Sequence, residues 1–145
     1  MSSDRIEFLK KDFVQGFIAF CGVEVLRADY GLFESCLKVR QEHRQQDGFV
    51  HAGVIAAMTD HTSGYASFTT VSDQFRILTV EFKINYFKPA AGPVILCRSK
   101  VINNGKKIKV VEAEVFSVSD GLEKLVSKGM FTQVAVAAKD LLKAS

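Results

Sequence analysis

An isolated acidic residue, Asp60, lies within a run of small side chains that extends from about His51 to Phe68. At roughly 100° per residue, this run predicts a helix with a bulky side and a small side, and Asp60 lies near the middle of the small side. The small side comprises Ala52, Gly53, Ala56, Ala57, Asp60, Ser63, Gly64 and Ser67. Two glycines inside a helix cost about 1 kcal/mol each relative to alanine, so we expect a substrate or a partner backbone to approach this side closely.

A carboxylate on such a surface is suited to act as a general base. The helix pattern alone favours equally a base of this kind and a structural aspartate, either an ordinary surface residue or a buried one that neighbouring hydroxyls satisfy. Gly48 and Gly53 flank the helix start, where backbone N–H groups have no partner within the helix. Together with the helix dipole, these groups can bind an oxyanion, although glycines at this position often only shape a turn.

The other reactive residue types indicate fewer sites. His43, His51 and His61 lack the spacing of metal ligands, so no metal site is predicted. His61 falls on the bulky side of the helix, which predicts a core or interface residue, and His43 is expected in a loop. The absence of a G-x-S-x-G motif argues against a serine hydrolase. Ser63 is a candidate substrate contact, with helix packing as the alternative.

The composition predicts one domain over residues 1–145, because a chain of this length with 48% hydrophobic residues can bury its own core. A net charge of +3 from dispersed basic residues argues against nucleic acid as a partner. No apolar run approaches the roughly 20 residues of a membrane span, and the chain start lacks a signal-peptide pattern. Three widely separated cysteines indicate no disulfide framework, so we expect a cytoplasmic protein.

The elements that position these residues follow an α+β order. Asp4 is predicted to cap a helix over about residues 5–20 that Gly22 ends, and two strands then flank a turn at 29–31. A polar loop over 42–48 precedes the Asp60 helix. Four strands in antiparallel connection follow it, with hairpin turns at 103–105 and 120–121, and a short helix closes the chain. One helix can therefore pack across a single sheet.

Two segments resemble a known family. The segments "GFVHAGVIAAMTDHTSGYA" and "TVEFKINYFKPAAG" are similar to hotdog-fold acyl-CoA thioesterases of the PaaI-like, phenylacetate-pathway type, in the 4-hydroxybenzoyl-CoA thioesterase superfamily. That family carries a His-Gly-Gly motif with an acidic residue nine positions after the His, matched here by His51, Ala52, Gly53 and Asp60. Its aromatic-x-Pro-Ala motif matches residues 86–90.

The resemblance implies a hotdog fold in which an antiparallel sheet of about five or six strands wraps around the central helix. It also implies a homodimer, or a tetramer built as a dimer of dimers, with active sites at the subunit interface. Asp60 would then activate water or attack the thioester carbonyl itself. The N–H of Ala52, with that of Gly53, would bind the thioester oxygen, and His51 would shape the nearby hydrogen bonding.

Two further positions, Gln45 and Thr79, correspond to family site residues but differ from the family in residue type or in expected orientation. Gln45 stands where relatives carry an Asn, and it keeps the amide on a longer side chain. Thr79 occupies the position of a hydroxyl that orients water. Strict alternation places Thr79 on the strand face of Glu81 and Lys83, so it reaches the site only if the strand is irregular or that face meets the partner subunit.

The predicted function is hydrolysis of an acyl-CoA thioester to coenzyme A and a carboxylic acid, with no cofactor besides the coenzyme A of the substrate. The basic residues that could bind its phosphates are Arg76, Lys88, Lys106 and Lys107. Tyr65, Phe68 and Phe75 are candidates for an acyl pocket, with the core as the alternative. Two other functions stay open: a non-catalytic acyl-CoA binding or sensing domain, and a hydroxyacyl-thioester dehydratase.

Overall fold

The fold is a six-stranded antiparallel sheet packed against one long helix, as the α+β hotdog prediction requires. The computed structural model describes residues 2–144. The strands are β1 (Val23–Asp29), β2 (Leu32–Lys38), β3 (Phe75–Tyr86), β4 (Val94–Asn104), β5 (Ile108–Ser119) and β6 (Leu122–Ala137). Their order in the sheet is β1-β2-β4-β5-β6-β3. β3 therefore pairs with β6, the last strand, and not with β4, which follows it in the chain.

The helices are α1 (Ser3–Phe13), α2 (Gly16–Cys21), α3 (Ala52–Phe68) and α4 (Ala138–Ala144). None of these helices, within residues 2–144, is long and apolar enough to cross a bilayer. A 3-10 turn, Gln41–His43, lies in the loop before α3. The α3 helix and all six strands occur where the sequence predicts them, and Gly22 ends α2 in the left-handed conformation.

The prediction of one helix over about residues 5–20 is wrong, because the chain breaks between α1 and α2. The Gln15 side chain donates to the Asp12 carbonyl oxygen, and Gly16 has a φ of +56°, which favours glycine. The break separates Phe13, which is fully buried, from Phe17, which lies on the surface. The cap also differs from the prediction, since the Ser2 side chain accepts from the Arg5 N–H and Asp4 lies within the first turn.

Part of the small side of α3 packs on the sheet through hydroxyl groups. Three buried pairs join the two layers: Thr62 with Ser35, Ser63 with Ser99, and Ser67 with Gln133. The remaining small residues, including Ala56, Ala57 and Gly64, are only half-buried in the protomer. One face of α3 therefore stays open along most of its length.

The strand β3 forms an edge of the sheet next to this open face. Among the described residues, no strand pairs with its outer edge. Several apolar side chains on β3 are exposed, among them Leu78, Val80 and Phe82. A long edge strand with exposed apolar residues is a surface that natural proteins normally cover with another chain or element.

Candidate active site

Asp60 and Thr79 form a hydrogen-bonded pair on the open face of α3. The Thr79 hydroxyl donates to Asp60 Oδ1 over 2.7 Å. Thr79 is exposed and Asp60 is half-buried, so a small molecule or a second chain can reach the carboxylate. The second carboxylate oxygen has no hydrogen bond among residues 2–144, which leaves it available to accept a proton from water.

An irregularity in β3 places Thr79 beside the helix. The pairing register between β3 and β6 shifts between Thr79 and Glu81, so that Val80 is an extra residue. A bulge of this kind reverses the side-chain alternation of the strand beyond it. Thr79 therefore faces α3, whereas the Glu81 carboxylate accepts from Thr132 on the next strand. The irregular strand start is the first of the two conditions under which Thr79 reaches the site.

The start of α3 provides backbone N–H groups, but His51 occupies one of them. His51 is the N-cap residue, and its Nδ1 accepts from the Gly53 N–H over 2.8 Å. The Gly53 N–H is thus not free to bind an oxyanion, contrary to the expectation from the sequence. The Ala52 N–H has no hydrogen-bond partner within the described part of the chain, and Ala52 is exposed. One donor, at Ala52, therefore remains.

The requirement for glycine at position 53 follows from the same cap. A Cβ built at Gly53 would lie 2.9 Å from His51 Nδ1 and 3.1 Å from its Cε1. Distances this short are a clash, so any larger residue would displace the imidazole from its capping position. The second glycine of the family motif thus preserves the cap in this chain, and the N–H that it carries is used up in doing so.

Ala52 lines a cleft of about 490 Å³, the Ala52 cleft. Its walls come from the loop before α3, the start of α3 and the end of β3, including Gln45, His51, Ala52, Tyr86, Phe87 and Lys88. The Tyr86 hydroxyl donates to the Ala52 carbonyl oxygen over 2.9 Å, which fixes the end of β3 to the helix start. Burial raises the pKa of Tyr86, so this hydroxyl stays protonated and remains a donor.

Gln45 lies in the Ala52 cleft, but its amide carbonyl serves the loop. The Gln45 Oε1 accepts from the N–H groups of Asp47 and Phe49. Its amide nitrogen has no partner among residues 2–144. The resemblance gave Gln45 as a candidate site residue but not Tyr86 and Phe87, which line the same cleft and belong to the aromatic-x-Pro-Ala segment.

Several other candidate residues lie outside this cleft. Ser63 is fully buried and its hydroxyl pairs with that of Ser99, so the prediction that it contacts substrate does not agree with the structure. The Arg76 guanidinium donates to the carbonyl oxygens of Asp73 and Phe75 at the far end of α3. Lys106 and Lys107 lie at the turn between β4 and β5, also near that end. Lys88 alone among the predicted cations lines the Ala52 cleft.

All three histidines are engaged in structural contacts. His43 lies in the loop before α3, as the sequence predicts, and it is buried. Its Nδ1 accepts from the Arg40 N–H while its Nε2 donates to the Cys21 carbonyl oxygen. His61 packs on Phe13 and donates to its carbonyl oxygen over 2.9 Å, which agrees with a core residue. Burial lowers the pKa of His61. None of the three imidazoles forms a hydrogen bond with Asp60 in the described residues.

The aromatic residues considered for an acyl pocket belong mainly to the core. Tyr65 is buried against Phe13 and Phe33, and its hydroxyl donates to Asp12 on α1. Phe68 packs against Tyr65, with the two rings tilted by 53°. Phe75 is partly exposed at the start of β3, beyond the C-terminal end of α3.

Asp60 and the Ala52 N–H lie too far apart to act on one carbonyl group within a single protomer. They are eight residues apart on one helix, which corresponds to about 12 Å along its axis. A nucleophile and an oxyanion donor that serve the same carbonyl each approach it within about 3 Å. One chain therefore carries two half-sites, an acid half at Asp60 and Thr79 and an oxyanion half at Ala52.

An antiparallel sheet on one long helix, with an acid on the helix and a free N–H at its start, is the arrangement of a hotdog-fold protein. The chain belongs to the thioesterase superfamily, whose family model matches residues 47–124. A protein of Saccharolobus solfataricus named as a candidate esterase is 31% identical over 70% of this chain and 71% of its own length.

Solved structures agree with this family. A thioesterase family protein from Silicibacter pomeroyi superposes with a TM-score of 0.87 at 30% identity, over 90% of this chain and 96% of that one. Zebra fish thioesterase superfamily member 2 superposes with a TM-score of 0.77 at 25% identity, over 89% of this chain and 96% of that one. The α3 helix, which carries both Ala52 and Asp60, lies within residues 47–124, the segment that the family model matches.

Proposed function

We propose that the protein is an acyl-CoA thioesterase that releases coenzyme A and a carboxylic acid. The single observation that carries the proposal is the Asp60 carboxylate, held by Thr79 on an open helix face. A thioester carbonyl is activated and its thiolate leaves easily, so hydrolysis requires a positioned base and an oxyanion donor. The two half-sites of this chain contain these two groups.

The active site in this proposal combines the acid half of one copy with the oxyanion half of a second copy. Two β3 edges that pair antiparallel around a two-fold axis bring two α3 helices alongside each other in opposite directions. The start of one helix then lies beside the middle of the other. The unpaired edge of β3 and its exposed apolar residues support this arrangement. The resulting homodimer could pair again into a tetramer.

In the proposed reaction, Asp60 accepts a proton from water as the oxygen of that water bonds to the thioester carbonyl carbon. The Ala52 N–H of the second copy stabilises the oxyanion that forms. The C–S bond then breaks, and the thiolate takes up the proton as coenzyme A leaves. Direct attack by the carboxylate, followed by hydrolysis of the resulting anhydride, uses the same groups. Thr79 fixes the carboxylate orientation in either case.

The proposed substrate supplies the only nucleotide, so no separate cofactor is required. Lys88 lines the Ala52 cleft and is the proposed phosphate partner at the oxyanion half. Arg76, Lys106 and Lys107 lie toward the opposite end of α3. In an antiparallel pair, that end of the second copy lies toward the Ala52 cleft of the first, so all four cations can contribute to binding the nucleotide.

A non-catalytic acyl-CoA binding or sensing domain is the second candidate. The observation in its favour is that the Gly53 N–H serves the His51 cap, so that, in the described part of the chain, the Ala52 N–H is the one free backbone donor left at the start of α3. A dehydratase is a poorer candidate, because it would require a histidine at the acid and all three histidines have structural partners elsewhere.

Thiol release from a panel of acyl-CoA esters tests the function directly. We expect wild-type protein to release the thiol and Asp60→Asn to lower kcat by about 100-fold or more, because the amide cannot accept the proton. Asp140→Asn, an exposed change on α4, is the matched control and should keep full activity. Binding without thiol release by the wild-type protein would favour the sensing domain, and full activity of Asp60→Asn would exclude the proposed mechanism.

A further inference from the structure

Gly64 lies one helical turn beyond Asp60 on the same face of α3 and has no packing reason to be glycine in the protomer. Residues four apart on a helix are neighbours on its surface. A Cβ built at Gly64 would meet only Gln133 Nε2, at 3.9 Å, which is ordinary van der Waals contact. Alanine would therefore fit and would make the helix more stable. The gap at Gly64 indicates that something outside the protomer approaches here.

Gln133, beneath this gap, is a fully buried amide with an unused polar end. Its Oε1 accepts from the Ser67 hydroxyl over 2.5 Å, whereas its Nε2 is buried without any hydrogen-bond partner in the described residues. Burying an unpaired amide group is unfavourable, and such groups normally have a partner. The unused Nε2 is also the atom that lies toward Gly64.

The gap and the amide adjoin the acid half of the proposed active site. Gln133 on β6 stands directly opposite Thr79 on β3, and the side chains of both residues contact α3. Gly64 is about 6 Å beyond Asp60 along the helix axis. A ligand whose carbonyl lies at Asp60 can therefore extend its acyl part over Gly64 toward Gln133.

We infer that Gln133 and Gly64 set the acyl specificity of the enzyme by binding a hydroxyl group on the acyl chain. The inference rests on the proposed thioesterase function. A hydroxyl both donates and accepts, so it satisfies the free end of the amide in either orientation of the Gln133 side chain. Because residue 64 has no side chain, the hydroxyl can approach Gln133 Nε2 over the helix at this point, with a small displacement of the surrounding atoms.

The test compares thiol release from acyl-CoA esters that carry a terminal hydroxyl with that from unsubstituted esters of the same chain length. The measured quantity is the ratio of kcat/KM values within each pair, as the chain is lengthened. We expect this ratio to rise to about tenfold in favour of the hydroxylated ester at one chain length in the wild-type protein. If Gln133 had a purely structural role, its replacement would change kcat/KM equally for both esters of a pair and leave their ratio unaltered.

Two variants locate the effect. Gln133→Met removes the amide while keeping a side chain of similar length, and Gly64→Ala fills the gap with a methyl group that the structure accommodates. Both should bring the ratio close to one while the unsubstituted esters are still hydrolysed. Size-exclusion chromatography of Gly64→Ala should show an unchanged oligomer.

Three results would overturn the inference. A ratio near one for every chain length in the wild-type protein, or an unchanged high ratio in Gln133→Met, would show that the Gln133 amide does not bind a hydroxyl on the acyl chain. A changed oligomeric state in Gly64→Ala would assign the gap to packing against a second copy. In each case the proposed thioesterase stands if the esters are hydrolysed, whereas the absence of thiol release from all esters would overturn both proposals.

Discussion

At the scale of single residues, the acid half of the site depends on a hydroxyl that the sequence places on the wrong face. Strict alternation along β3 groups Thr79 with Glu81, and the family resemblance alone gave it a role. The extra residue Val80 reverses the alternation, and Thr79 reaches Asp60. A bulge of this kind depends on the pairing of β3 with β6, a contact between distant segments, so spacing along the sequence cannot reveal it.

Thr79→Val should lower kcat while leaving the fold intact. Valine keeps the shape and the β-branch of threonine, but it removes the hydrogen bond that orients the Asp60 carboxylate. A hydrogen bond to a charged group contributes about 1.5–3 kcal/mol, so we expect a loss of about tenfold or more. Thr79→Ser keeps the hydroxyl and is the matched control. Wild-type kcat in Thr79→Val would show that the hydrogen bond has no part in turnover.

Two glycine-to-alanine changes in α3 should have opposite effects on stability. Gly53→Ala drives a Cβ into the His51 ring and breaks the helix cap, at a cost of about 1 kcal/mol. Gly64→Ala meets no close atom and gains up to about 1 kcal/mol from helix propensity. Urea unfolding measures both changes. Equal stabilisation by the two substitutions would mean that the His51 cap does not constrain position 53.

At the scale of elements, the sequence predicts the order of helices and strands better than their ends. The helical spacing of Ile6, Leu9, Phe13 and Phe17 continues through Gly16, so periodicity favours one helix there. The structure instead breaks at Gln15 and Gly16, where Gly16 has a positive φ. Phe13, before the break, packs against Phe33 and Tyr65, whereas Phe17, beyond it, lies on the surface. The pairing of β3 with β6, across the two intervening strands β4 and β5, is likewise set by tertiary contacts and not by local sequence.

The contact between α1 and α3 should weaken in mild acid because of His61. Burial lowers the pKa of this imidazole from 6.5, although the Phe13 carbonyl and the nearby Asp60 and Asp12 carboxylates oppose the shift. The unfolded chain therefore binds a proton at a higher pH than the folded chain does. The stability that neutral His61 contributes is fully present above pH 6.5, the ordinary pKa of histidine. It is lost as the pH falls from that value toward the lower pKa of the folded protein.

His61→Gln isolates this effect, because glutamine keeps a donor for the Phe13 carbonyl oxygen but does not titrate. The free energy of unfolding, measured in urea at about pH 7.5 and about pH 5.5, should fall more in the wild-type protein than in the variant. An equal loss in both proteins would assign the pH dependence to groups other than His61.

At the scale of the whole molecule, the two half-sites explain why an isolated chain is an incomplete catalyst in the proposed mechanism. The sequence places Asp60 and Ala52 on one helix, and helix geometry separates them by about 12 Å in any fold. A homodimer with sites at the subunit interface is expected from the family resemblance, and the exposed edge of β3 favours pairing through that strand. Which copy supplies which group does not follow from the sequence of one chain, because the combination arises only on assembly.

Mixing two inactive variants should restore activity if each site takes its groups from two copies. Asp60→Asn removes the base. Ala52→Pro removes one N–H at the first helical position, where proline is tolerated. The preceding residue, His51, already has the extended conformation that proline requires of it. In a mixed dimer one site has both groups intact, so unfolding and refolding the variants together should raise thiol release well above that of either variant alone. Ala52→Gly keeps the N–H and should stay active. Sites built within one chain would show no recovery, because every copy would lack one of the two groups.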